Sequence, residues 1–292
     1  MSYVARREPR HESIQLRGIT HHLTRWGPAT GQPPILLLHG WMDTGDTFQF
    51  VVDCMDERRS FVALDWRGFG RSEWEPNGYW FPNYLADLDA LLDHVSPHAP
   101  ATIVGHSMGG NVAMLYSGVR PERVGRLVNI EGFGLPRTPA DRAPDRYREW
   151  LDQLRSPPGF AGYASIAQLA GFLARRNPRL TPERADFIAR AWTRVAPDGQ
   201  QLIRSDPRHK LVNPVIYRRE EAEACWRRVT APVLLLLAEH SEFLGRLGED
   251  GAPERLRSHF RDMRVEKVPG VGHMMHHERP DEVARLIEAF VP

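Results

Sequence analysis

The sequence predicts an α/β protein: a doubly wound, mostly parallel sheet with a helical cap inserted late in the chain. Three observations carry this. Short apolar runs alternate with helical patterns along most of the length. A serine between glycines, in Gly105-His106-Ser107-Met108-Gly109, sits where one such run meets the helix after it. The alternation then breaks once, between residues 132 and 229.

Composition sets the outer limits. A chain of 292 residues, 41% hydrophobic and 26% charged, suits one large α/β unit or a core with an inserted subdomain. A net charge of +1 gives no electrostatic reason to expect nucleic acid or an anionic membrane as partner. Cys54 and Cys225 form no CxxC pair, and two reduced thiols is the simpler reading. The charged first residues lack the apolar core of a signal peptide, and no run is long enough to span a bilayer. A cytoplasmic enzyme acting on small molecules is the expectation, and nothing in the sequence specifies an oligomeric state.

The elements follow in order. Residues 14–26 alternate as antiparallel edge strands do. Buried parallel strands are expected at 34–38, 61–64, 101–104, 127–130 and 233–237, with a weaker one at 264–268. Helical spacing appears at 48–55, 82–95, 108–119, 252–260 and 281–290. Between 132 and 229 only helical stretches are visible, at 146–154, 166–175 and 182–195, punctuated by Pro157-Pro158-Gly159 and Pro197-Asp198-Gly199. That is too long for a connection inside a compact sheet. The chain therefore divides into a core, 1–131 with 230–292, and a cap, 132–229, expected to cover the serine and shape a pocket.

A serine on a tight strand-to-helix turn has an exposed hydroxyl aimed at a helix N-terminus, and the glycines let the strained turn pass close to its neighbours. Ser107 is therefore a candidate nucleophile. Its base must be a histidine on the same rim of the sheet, and His273, in Gly270-Val271-Gly272-His273, lies just past the last expected strand. His276 and His277 make a local cluster with it. No carboxylate or cysteine stands nearby at zinc-ligand spacing, so they are expected to be solvated helix-entry residues, with no metal and no cofactor. Arg175, Arg176 and Arg218 are expected on solvated faces.

Together with His39-Gly40-Trp41 after an early strand and Asp65-Trp66-Arg67-Gly68-Phe69-Gly70-Arg71-Ser72 after the next, these motifs resemble the α/β-hydrolase superfamily, most closely its serine-hydrolase-like branch with a helical cap. The resemblance implies a Ser–acid–His order along the chain. It also implies an oxyanion hole from the backbone N–H groups of Trp41 and Met108. In many members the acid lies three residues past a small residue that ends the penultimate strand. Here that position, after Ala238, holds Ser241. Two carboxylates offer themselves instead: Glu242, one residue late, and Glu131, which ends the strand after the elbow helix. A subset that includes the haloalkane dehalogenases is similar in using the earlier strand, and a strand end is fixed better than a loop tip, so Glu131 is preferred. The Asp65 to Ser72 turn reads as structural, with Arg67 bracing it.

A serine at the elbow points to acyl transfer rather than to displacement at an alkyl carbon. The expectation is a carboxylic-ester hydrolase for substrates of small to medium size, working through an acyl-enzyme. The same machinery serves C–C, lactone, thioester and amide bonds. A non-catalytic ligand-binding homologue is the alternative from another class, motivated by the serine at position 241.

Overall fold

The computed structural model describes residues 2–29 and 31–291. The chain enters through an antiparallel hairpin, β1 (Arg10–Leu16) and β2 (Ile19–Trp26), then β3 (Ile35–Leu38), the short helix α1 (Gln49–Val52) and β4 (Phe61–Leu64). Helix α2 (Phe81–Val95), β5 (Ala101–His106), α3 (Met108–Val119) and β6 (Val124–Ile130) follow. Next come α4 (Ala143–Arg155), α5 (Ile166–Arg176), α6 (Pro182–Trp192), the strands β7 (Thr193–Val195) and β8 (Gln201–Ile203), and α7 (Arg219–Trp226). The chain ends with β9 (Val233–Ala238), α8 (Pro253–Arg257), β10 (Met263–Val268), α9 (Met275–Glu278) and α10 (Pro280–Phe290).

The main sheet has eight strands in the order β1-β2-β4-β3-β5-β6-β9-β10. The β1–β2 and β2–β4 pairings are antiparallel, and the rest are parallel. The inner strands are apolar throughout because helices cover both faces. On one side Leu36, Leu38, Ile103 and Leu235 pack beneath α2 and α3 with Leu88, Leu92 and Val112. On the other, Leu37, Val104, Val128 and Leu236 meet Val51, Val283 and Ile287 of α1 and α10. A third cluster, Leu169, Leu173 and Ile188 with Phe50, joins α5 and α6 to the core.

The sequence-read strands 61–64, 101–104, 127–130 and 233–237 fall within β4, β5, β6 and β9. Two expectations fail. The helix read over 182–195 stops at Trp192, and Thr193–Val195 pairs with Gln201–Ile203 as a small antiparallel ribbon. Each strand is three residues long, too short for alternation to register. The helix read over 48–55 is a 3-10 turn, Gly45–Phe48, running into the short α1.

Parallel strands present their carboxyl ends along one edge, and loops after β3, β5, β6, β9 and β10 gather there. The approach is close. A Cβ on Gly109 would lie 2.2 Å from the Leu38 carbonyl oxygen, and one on Gly40 would lie 3.2 Å from the Ser107 Cβ. Glycine at these two positions lets α3 and the loop after β3 meet at the serine.

Candidate active site

Ser107 stands between β5 and α3 with φ 51° and ψ −112°, a region that costs an L-residue of its size on the order of 1–3 kcal/mol. The conformation is held from both sides: Ser107 N–H donates to the Ile130 carbonyl at 2.8 Å, and its own carbonyl accepts from Asn111 N–H at 2.9 Å. The side chain caps no amide of α3, so the first-turn N–H groups, that of Met108 among them, stay available to a ligand. Ser107 is partly exposed, and among the described residues its hydroxyl has no hydrogen-bond partner.

Glu131 also has a left-handed backbone, φ 58°, immediately after β6. This turns its side chain across the sheet edge, where it is buried. One carboxylate oxygen accepts from the Ala238 N–H at 2.7 Å. The other accepts from the Ser241 hydroxyl at 2.5 Å and lies 3.1 Å from His273 Nδ1. The two sequence candidates for the acid are thereby separated. Glu131 meets the imidazole, whereas Glu242 is exposed and has no contact with it among the described residues. Ser241, at the position where the commoner pattern has a carboxylate, turns its hydroxyl onto Glu131 and holds that side chain in place.

His273 is held from its backbone. The His106 ring binds its carbonyl at 3.0 Å, and Gly272 N–H donates to Glu278 at 2.7 Å. Phe243 lies against the ring, centroids 4.4 Å apart. With Nδ1 engaged by a carboxylate, the tautomer that leaves Nε2 free to accept a proton is the favoured one.

The loop after β3 has its own lock, which the sequence reading overlooked by attending only to backbone donors. His39 is buried, and burial pushes its pKa down, so the ring is neutral. Its Nε2 accepts from Trp66 N–H at 3.0 Å, so Nδ1 carries the proton and donates to the Gly40 carbonyl at 2.7 Å. In a trans peptide the N–H points opposite to the C=O. Pinning the Gly40 carbonyl therefore also aims the Trp41 N–H. The Asp65 turn is structural, as expected: Asp65 accepts from Gly45 N–H, His22 and Arg71 N–H, and Arg67 forms a bidentate pair with Asp87.

Beside this constellation lies a cavity of about 420 Å³ whose walls include Trp41, Met108, Tyr79, Trp80, Trp150 and Leu154. Trp150 and Leu154 belong to α4, so the segment between β6 and β9 supplies one wall. His209, another wall residue, is clamped between the rings of Phe69 and Tyr79, centroids 3.8 Å and 3.6 Å away. Burial pushes its pKa down to about 3 from the ordinary 6.5. The unfolded chain thus takes up this proton first, and stability present above pH 6.5 is lost as the pH falls toward 3, by up to about 1.4 kcal/mol per unit. Urea midpoints should fall across this window, and His209→Gln should flatten the slope by one proton. An unchanged slope would contradict the assignment.

His276 and His277 are not solvated: both are buried, 0% and 1% exposed, against Asp43. Arg175, Arg176 and Arg218 are exposed as expected, and both thiols are unpaired. No helix of the described residues is long and apolar enough to cross a membrane.

Comparison with known proteins places these features in a lineage. Residues 33–280 match the model of the alpha/beta hydrolase fold family. The chain belongs to that family. It is 30% identical to a serine hydrolase-like protein of Danio rerio over 91% of this chain and 83% of that one. It is 24% identical to a protein of Escherichia coli K12 named esterase YbfF, over 88% and 92% of the two chains. The crystal structure of a hypothetical protein from Pseudomonas aeruginosa PAO1 superposes with a TM-score of 0.82 at 28% identity, covering 96% of this chain and 98% of that one. This α/β-hydrolase is thus related to proteins with hydrolase names.

Proposed function

We propose that this α/β-hydrolase is a serine esterase that cleaves carboxylic esters of small to medium size through an acyl-enzyme on Ser107. The observation that carries the reading is the buried Glu131 carboxylate held 3.1 Å from His273 Nδ1 on the rim where the strained Ser107 stands. An acid so engaged favours an enzyme over a non-catalytic binding homologue, since a carboxylate serving only as a structural anchor has no need of the imidazole. The esterase name of a relative agrees in class.

In this reading Ser107 Oγ attacks the ester carbonyl while its proton passes to His273 Nε2. The negative charge that develops on the carbonyl oxygen is stabilised by the N–H groups of Trp41 and Met108. His273 then gives the proton to the leaving alcohol as the C–O bond breaks, leaving an acyl group on Ser107. Water, deprotonated by the same nitrogen, attacks the acyl carbon, and the proton returns to Ser107 as the carboxylic acid departs. Glu131 holds the imidazole and stabilises the imidazolium in both halves. None of these steps uses a metal or a cofactor.

Residues 132–229 serve in this proposal as a cap over the site. The cavity volume and its aromatic walls suit an acyl chain of modest length. Initial rates on p-nitrophenyl esters of rising acyl length test the function. An optimum at short to medium chains is expected, and the absence of turnover on every ester would overturn it. Trp150→Ala, at the α4 wall, should raise KM for the best ester by about tenfold, the worth of about 1.4 kcal/mol of apolar contact. Its kcat should stay close to wild type. An unchanged KM together with an unchanged kcat would place Trp150 outside the substrate pocket.

A further inference from the structure

Outside the lining of the cavity, Asp43 comes from the loop after β3 and meets His276 and His277 of α9. Their ligand atoms all lie within 4.8 Å of one another, and all three residues are buried. Asp43 Oδ2 is 3.5 Å from Nε2 of each histidine. Neither contact has hydrogen-bond geometry: Oδ2 and both Nε2 atoms face one another at ion-pair range only, and they and Nδ1 of His276 have no hydrogen-bond partner among the described residues. Buried polar atoms lacking hydrogen bonds cost up to about 1–3 kcal/mol each, and these gather within 4.8 Å with only long ion-pair contacts to offset that cost.

We propose that Asp43, His276 and His277 form a binding site for a divalent transition-metal ion, zinc by the chemistry of its donors. Two imidazole nitrogens and one carboxylate oxygen are a zinc-type set. In a tetrahedron with bonds of 2.0–2.1 Å the ligand atoms stand about 3.4 Å apart, close to the 3.5 Å found twice here. The carboxylate is already oriented. Its Oδ1 accepts from Thr44 N–H at 2.8 Å, from the Thr47 hydroxyl at 2.9 Å and from Trp192 Nε1 at 2.8 Å, which leaves Oδ2 for the ion. Arg184 fixes the other side by donating to the carbonyls of His277 and Glu278. That guanidinium is the nearby cation that a bound metal must tolerate, and the Asp43 charge offsets it. Water completes the coordination. His276 spacing from any local carboxylate hid the site from sequence, because its acidic ligand lies far upstream.

Such an ion would tie the loop bearing Trp41 to α9 and, through Trp192, to α6. It would be structural, since Ser107 is not among its ligands, and it stands independently of the ester-hydrolase reading. Because the site is buried, the ion should enter during folding. The test uses the full chain freed of any affinity tag, produced in zinc-supplemented medium and, separately, refolded with one equivalent of Zn²⁺ or Co²⁺. Close to one metal per chain is expected by elemental analysis, with the intense visible absorption of tetrahedral Co²⁺ and a Tm about 5 °C above that of the chelator-refolded protein. His277→Gln should lose all three signals. His276→Gln, a second variant, guards against a folding defect in the first. Metal below a tenth of an equivalent in both preparations would overturn the proposal. So would equal loading of wild type and both variants, which would trace the ion to surface histidines.

Discussion

Replacing Ser107 with alanine is expected to lower ester turnover by about a million-fold, to the level that an oxyanion hole and substrate binding alone sustain. The size follows from the geometry. Ser107 stands on a turn whose backbone strain is maintained by the Ile130 carbonyl and the Asn111 N–H, an arrangement with no structural purpose that a glycine would not serve at lower cost. The hydroxyl itself holds nothing in place. The variant should therefore fold with the stability of the wild type and lose only chemistry. Parallel denaturation curves and kcat measurements on the best p-nitrophenyl ester check this. Turnover within about tenfold of wild type would remove Ser107 from the reaction.

Glu131→Gln is expected to cost about four orders of magnitude in kcat, the scale seen when the acid of a serine triad becomes an amide. The reason lies in the donors around it. The Ala238 N–H and the Ser241 hydroxyl both donate to this carboxylate, beside His273 Nδ1. A glutamine that keeps its oxygen on Ala238 turns its NH₂ toward His273, which favours the wrong tautomer. Glu242→Gln, at an exposed position, should leave kcat within about twofold, as surface changes usually do. Ser241→Asp in the Glu131→Gln background would return a carboxylate to the edge of β9, where the commoner members of the family carry theirs, and should recover part of the loss. Equal effects of the 131 and 242 substitutions would contradict the assignment of the acid.

The sheet was legible because its inner strands are apolar on both faces and its glycines mark close approaches. The elbow was legible for the same reason: only a strand end, a serine and a tight helix start explain Gly105 and Gly109 together. Glu131 could be read as a candidate acid from its place at a strand end, whereas the hydroxyl of Ser241 that holds its carboxylate could not, since nothing local says which way a loop serine turns. The ribbon of β7 and β8 escaped notice because three-residue strands carry no period. Asp43 escaped for a different reason. It sits in the loop between His39-Gly40-Trp41 and the helical stretch read from residue 48, and its partners His276 and His277 are adjacent to it only after β3 and α9 have been brought together by the sheet. Histidines in a charged neighbourhood look solvated until the fold buries them. Long-range polar pairs such as Glu131 with His273 are legible where both partners end or follow strands on one rim, and pairs such as Asp43 with His276 and His277, which lack that marker, are not.

In the proposed mechanism Ser107 is a nucleophile that His273 and Glu131 activate. The most direct measurement is labelling with a fluorophosphonate, followed by intact mass and peptide mapping for the wild type, Ser107→Ala and Glu131→Gln. A single adduct on Ser107, with fluoride displaced, is predicted for the wild type, with none on Ser107→Ala and a labelling rate on Glu131→Gln lower by at least about a hundredfold. No adduct on the wild type, or an adduct mapping to another residue, would contradict it.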